Sequence, residues 1–183
     1  MEISEKYLGI NKYSRPGIKR SRIDGIALHW VGNPGTTALA NQFFFNWIAP
    51  AEQRFCGAHE IIGLRGEILL LVPKYEMTYH VGANTYMPGI VERFGKYPNR
   101  TLYGVEFCHP DWDGKPNDLT YASIINRLAH LLDEFRHEDT ATHLVTHTQV
   151  TGKHDPYTCP RYFVENPEAW QQLILDVSAL RTA

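Results

Sequence analysis

Residues 23–31 read IDGIALHWV, an apolar, partly β-branched run that carries one imidazole near its end and is stopped by NPGTT. A run of this length and composition reads as a buried strand. A buried strand needs neighbours on both sides and cover above and below, so the rest of the chain must supply a sheet and packing helices. The sequence offers both. HEIIGLRGEILLLVP (59–73) reads as two strands around a glycine-containing turn, a hairpin closed by Pro73. TLYGVEFCH (101–109) is a further strand element, and HLVTH (143–147) is a short one.

Helical spacing alternates with these strands. DLTYASIINRLAHLLDEF (118–135) puts Ile124, Leu128, Leu131, Leu132 and Phe135 on one face, with Thr120 as its cap. TALANQFFFNWI (37–48) spaces Leu39, Phe43 and Trp47 four apart, as on a helix face, with Thr36 or Thr37 capping its start. NPEAWQQLILDVSAL (166–180) is a terminal helix with Pro167 in its first turn. Residues 83–101, rich in Gly, Pro, Asn and Tyr, read as a long surface loop, and residues 1–22 as an irregular lead-in. The expected architecture is a single α/β domain over 1–183, with a mixed central β-sheet flanked by helices.

Composition narrows the function classes. At 183 residues, 43% apolar and 21% charged, the chain has the make-up of a globular protein with a proper core. A net charge of −2 gives no footing for nucleic acid, and no apolar run approaches transmembrane length. The start MEISEKYLGINKY lacks the basic and apolar segments of a signal peptide, so the chain is expected to be made in a bacterial cytoplasm and not exported by the Sec route. Cysteines at 56, 108 and 159 are odd in number and widely spaced, which argues against a disulfide framework.

The chemistry centres on histidines. His29 lies within the first strand, His59 opens the hairpin, His80 follows it, and His147 ends the last strand. Taken singly, such a histidine is more often a satisfied core or surface residue than a ligand. Strand ends, however, hold side chains rigidly where loops open a site. Two strand histidines with one ligand from the 153–159 loop (His154, Asp155 or Cys159) would make a three-ligand catalytic zinc site with one open position. Neither HExxH nor CxxC occurs, and a closed structural zinc site lacks its ligand pairs. Glu106 stands among the apolar residues of LYGVEF. It is either a buried carboxyl raised into the range of a general base, or a glutamate on the outer face of an edge strand.

The segments IALHWVGNPG, AHEIIGLRGEILLLVP with YHVG, LYGVEF, and HTQVTGK followed by CPRYFVENPEAW resemble, in that order, the zinc-dependent N-acetylmuramoyl-L-alanine amidases. These form the type-2 amidase and peptidoglycan-recognition-protein superfamily, and the likeness is nearest to phage endolysin and prophage autolysin domains. It runs from about Asn11 to Val177. The resemblance implies one zinc in an open groove and cleavage of the amide between N-acetylmuramic acid and L-alanine of peptidoglycan. It implies His29 and His147 as zinc ligands, Glu106 as the base, and Lys153 as the oxyanion lysine. It further implies substrate contacts at His80, Trp30 and Asn84, and a structural His59. Loop 83–100 and the Asn33–Thr37 turn would border the groove. For the third ligand two dipeptides compete, Asp155-Pro156 and Cys159-Pro160; thiolate chemistry and the step to the terminal helix favour Cys159, with HDPY as an insertion. His154 is then a neighbour, and Cys56 and Cys108 are buried small hydrophobes. The expected activity is lytic, on the cell wall after release. A cytosolic enzyme recycling soluble muropeptides is the alternative, and a non-catalytic peptidoglycan-binding module a weaker one. The sequence carries no sign of oligomeric state.

Overall fold

A computed structural model describes residues 2–181. In chain order the elements are β1 (Ile3–Glu5), β2 (Gly25–Trp30), α1 (Ala38–Phe43), a π-helical turn (Phe44–Ile48) running into α2 (Ala49–Ala51), β3 (Glu60–Ile62) and β4 (Ile68–Leu70). Then come α3 (Ile90–Phe94), β5 (Leu102–Phe107), α4 (Asp118–Glu134), α5 (Thr140–His143), β6 (Leu144–Thr146), α6 (His147–Thr151), α7 (Arg161–Glu165) and α8 (Pro167–Arg181). The strands form one mixed sheet in the order β1-β4-β3-β5-β2-β6. Only β3 and β4 pair antiparallel, as the hairpin required; β1–β4, β3–β5, β5–β2 and β2–β6 are parallel.

The two central strands alternate large and small residues, which divides the faces. Ile26 and Leu28 of β2 and Tyr103, Val105 and Phe107 of β5 enter the main core with Ile124, Leu128, Leu131 and Leu132 of α4 and Leu173 and Val177 of α8. Burying each such side chain stabilises the fold by about 1.5–3 kcal/mol. The other face carries Ala27, His29, Gly104 and Glu106. It is this face, at the carboxyl ends of β2, β5 and β6, that opens into a cleft, the usual place for a site in an open α/β sheet.

Several expectations change. Residues 3–5 of the lead-in form the edge strand β1, with Ile3 in register with Ile68. The segment 83–101 contains α3, whose Ile90 and Phe94 are buried, so it is no bare loop. The cap of α4 is Asn117, whose side chain accepts from the Thr120 N–H, while the Thr120 hydroxyl donates to the Gly63 carbonyl. Thr37 does cap α1. Leu39, Phe43 and Trp47, however, point to solvent at 58%, 54% and 60% exposure. The helix lies close to the sheet, which admits only Ala38 and Asn41 in α1 and reaches a large side chain at Phe45, where the π-helical turn shifts the period.

One polar cluster is sealed into the core. The Glu60 carboxylate, fully buried, receives Arg127 Nε at 3.0 Å, Arg127 Nη2 at 2.8 Å and the Tyr103 hydroxyl at 3.1 Å. Removing one partner leaves a buried charge uncompensated. Arg127→Leu should therefore lower the unfolding free energy in urea by about 3–5 kcal/mol. Replacing Glu60 and Arg127 together by apolar residues of similar volume should recover most of that loss. A single variant as stable as the parent would contradict this account.

Candidate active site

His29 and Glu106 are direct register partners on β2 and β5, one residue before the end of each strand. Because β5 lies between β3 and β2, Glu106 is on a central strand, and the edge-strand alternative is ruled out. It is buried, and its Oε2 atom has no hydrogen-bond partner. Burial drives its carboxyl well above the ordinary carboxylate range.

His147 is delivered differently. The β6 strand stops at Thr146, and His147 is the first residue of α6. The sharp change of direction is held by a capping box: the Thr146 hydroxyl accepts from Gln149 N–H at 3.0 Å, and the Gln149 side chain accepts from Thr146 N–H at 2.8 Å. The sequence carries a signal for this turn in Thr-x-x-Gln at 146–149. Gly152, in the left-handed region at φ 68°, ends α6.

The third position is set by Thr148. Its N–H donates to the Cys159 carbonyl at 2.9 Å, its hydroxyl accepts from Cys159 N–H at 2.9 Å, and the same hydroxyl donates to the Lys153 carbonyl at 3.0 Å. Residues 154–157 thereby stand off as an exposed bulge, while Cys159 is drawn under it and buried. His29, His147 and Cys159 each offer a ligand atom within 4.8 Å of the others. Asp155 is 85% exposed at its side chain and pairs with Arg161 at 3.3 Å. Of the two competing residues, only Cys159 is brought to the histidines; Asp155 and His154 face solvent.

The donor set suits a divalent metal of zinc type. Cys159 Sγ lies 3.6 Å from His29 Nδ1, close to the edge of about 3.5 Å expected between sulfur and nitrogen around tetrahedral zinc. His147 Nε2 is buried without a hydrogen-bond partner, an orphan of the kind that a ligand satisfies. Burial holds the His29 imidazole well below its usual value, helped by His147 and His80. His147 is held down to about 4 by burial and the Lys153 charge. Both rings thus stay neutral, as ligation requires. Burial pushes the Cys159 thiol up, so it carries its proton until a cation displaces it.

A cavity of about 600 Å³ lies over these groups, lined among others by Trp30, His80, Lys153, Tyr157 and Arg161. Lys153 Nζ reaches across it to the Gly82 carbonyl at 2.7 Å. Trp30 stacks on His109 with centroids 4.6 Å apart, and the Arg161 guanidinium lies 5.2 Å from the Trp30 ring. Asn84 is exposed and lies outside the cavity lining. His59 is scaffold, accepting from Gly104 N–H at Nδ1 and meeting the Glu76 carbonyl through Nε2. Cys108 is fully buried, but Cys56 is only half-buried and lines the cavity.

Residues 19–161 match the family described as Amidase_2, N-acetylmuramoyl-L-alanine amidase. The chain belongs to this family. A probable N-acetylmuramoyl-L-alanine amidase of Bacillus licheniformis is 30% identical over 156 residues, 85% of this chain and 42% of that protein. The amidase CwlL of the same species is 26% identical over 91% of this chain and 44% of its own length. The chain thus spans less than half the length of these curated relatives. Among solved structures, the PlyG catalytic domain has a TM-score of 0.74 at 17% identity, covering 100% of this chain and 97% of that one. PlyL gives 0.72 at 18% identity over 97% of both chains. These two share the fold of the amidase domain. Among the described residues no helix is long and apolar enough to cross a membrane.

Burial of neutral imidazoles has a stability consequence. His29, His59, His80, His137 and His147 all sit below their ordinary value, chiefly through burial. The unfolded chain binds protons below about pH 6.5 that the folded chain refuses, so stability is lost as pH falls from there towards about 4, where His137 and His147 titrate. Glu106 and Asp24, whose carboxyls are raised, act in the opposite sense and offset part of this. The metal-free protein should show a lower urea midpoint at pH 5 than at pH 7, its unfolding free energy falling by up to about 1.4 kcal/mol per pH unit for each unbalanced proton. Equal midpoints would mean that these rings protonate freely in the folded state.

Proposed function

We propose that this domain is a zinc-dependent N-acetylmuramoyl-L-alanine amidase that hydrolyses the amide between N-acetylmuramic acid and L-alanine in peptidoglycan, acting lytically on the cell wall. The observation that carries this reading is the convergence of His29, His147 and Cys159 at the floor of a cavity beside an unpartnered Glu106 carboxyl. Family membership supports the substrate class.

His29, His147 and Cys159 would hold the zinc, which when bound would polarise the scissile carbonyl and acidify the attacking water. Glu106, with Oε2 free, takes the proton from that water and returns it to the departing alanine nitrogen. Bond-making to the carbonyl carbon leaves negative charge on its oxygen. Lys153, on the cavity wall close enough to depress His147, provides a cation towards that oxygen. Trp30, stacked on His109 with Arg161 over its ring, lines one side of the cleft where the substrate would lie.

In His29→Ala, His147→Ala and Cys159→Ala, zinc content by mass spectrometry and lysis of purified cell walls should fall together to background. Asp155→Ala should keep its zinc. Glu106→Gln should also keep zinc while kcat drops about 10²–10⁴-fold. Full lysis by a zinc-free His147→Ala protein, or zinc loss in Asp155→Ala alone, would refute the scheme.

A further inference from the structure

His80 is 93% buried, judged by its 7% exposure, and both of its ring nitrogens are engaged. Its Nε2 lies 3.0 Å from the Leu102 carbonyl oxygen, and its Nδ1 lies 3.0 Å from His29 Nε2. A carbonyl only accepts, so His80 Nε2 must carry a proton and donate it. In a neutral ring Nδ1 is then bare and accepts from His29 Nε2–H. That leaves His29 with a bare Nδ1, the atom facing Cys159 Sγ at 3.6 Å. The alternative, a doubly protonated His80, would place a buried cation next to the Arg20 guanidinium, because Arg20 Nη1 donates to the same Leu102 oxygen at 2.7 Å. It would also put a proton on the nitrogen of His29 that points at the thiol.

We infer that His80 is a positioning residue: a carbonyl-to-imidazole-to-imidazole relay from Leu102 through His80 selects the tautomer of His29 and aims its Nδ1 at the metal position. The inference rests on the metal reading proposed above. It reassigns His80 from substrate contact to support, since neither ring nitrogen is free to meet a ligand in the cavity.

The surroundings hold the ring on three sides. His80 N–H and Val81 N–H both donate to Asn99 Oδ1 at 2.9 Å, which fixes the backbone. On β5, a Cβ built at Gly104 would lie 2.7 Å from His80 Cγ and Nδ1, so this strand position admits the ring only because it is glycine. Arg20 Nη1 also donates to the oxygen at the head of the relay. Partners that orient a ligating histidine in this way govern metal affinity without touching the metal.

The test uses the whole 183-residue chain, labelled with ¹⁵N-histidine, in metal-free and zinc-loaded forms. In the metal-free wild type, long-range ¹⁵N–¹H spectra should show His29 as the Nε2–H tautomer. His80→Ala should lose that single-tautomer signature and bind zinc about 10–100-fold more weakly in a chelator competition. His80→Gln, whose amide offers a donor nitrogen and an acceptor oxygen, should recover most of the affinity. Circular dichroism and a thermal melt separate loss of affinity from loss of fold, and Gly104→Ala, which displaces the ring without deleting it, should weaken zinc in the same direction. A wild-type His29 protonated at Nδ1, or a folded His80→Ala protein with unchanged zinc affinity, would overturn the relay. A wild type that binds no zinc would instead refute the metal reading, leaving the tautomer spectrum to decide the relay by itself.

Discussion

The parallel pairing of β2 with β5 sets His29 beside Glu106, and the remainder of the site is built around that register. Strand side chains alternate between faces, so a one-residue slip of either strand would turn its functional group into the core formed with α4 and α8. The register is pinned by what the opposite face buries: Ile26 and Leu28 against Val105 and Phe107, all fully buried. Hydrophobic packing on one face therefore holds the polar pair in place on the other. The cost of burying Glu106 and a cluster of neutral histidines is borne by that core.

Small residues make the polar face usable. Ala27 and Gly104 precede His29 and Glu106 by two positions on their strands, and the space at Gly104 is filled by the His80 ring. That ring in turn meets His29 through Nε2, leaving Nδ1 towards Cys159. The other half of the site is organised by short-range hydrogen bonds. The Thr146–Gln149 capping box turns His147 inward, and Thr148 ties Lys153 and Cys159 to the start of the same short helix. One half is thus made by sheet register and the other by a tight turn, and they meet across the parallel β2–β6 pair.

The aromatic row of Leu39, Phe43 and Trp47 shows the limit of periodicity as a guide. Four-residue spacing correctly indicates a helix, but which face is buried depends on how near the helix approaches its neighbour. Here the approach admits Ala38 and Asn41, so the large residues are turned outward. The cap of α4 moved from Thr120 to Asn117 for a comparable reason: both side chains can cap, and the neighbouring Gly63 carbonyl took the Thr120 hydroxyl.

Much of this protein was legible in its sequence. Short apolar runs bounded by turn residues marked the central strands and the hairpin, and the amphipathic spacing of 118–135 marked the main helix, because both signals are local and repeat with the period of the backbone. The segments IALHW, LYGVEF and HTQVTGK bring His29, Glu106 and His147 to one cavity, since each is attached to a strand end whose position the core dictates. Three things were not legible. The edge strand at residues 3–5 exists only because β4 offers it an open edge. Which of Asp155 and Cys159 lies beside the two histidines is set by Thr148, whose bonds to Lys153 and Cys159 lift the intervening bulge into solvent. The two ring contacts of His80 reach a carbonyl 22 residues away and a ring 51 residues away. Local sequence determines which segments become strands, helices and turns; which nitrogen of a histidine is bare is decided only where distant segments meet.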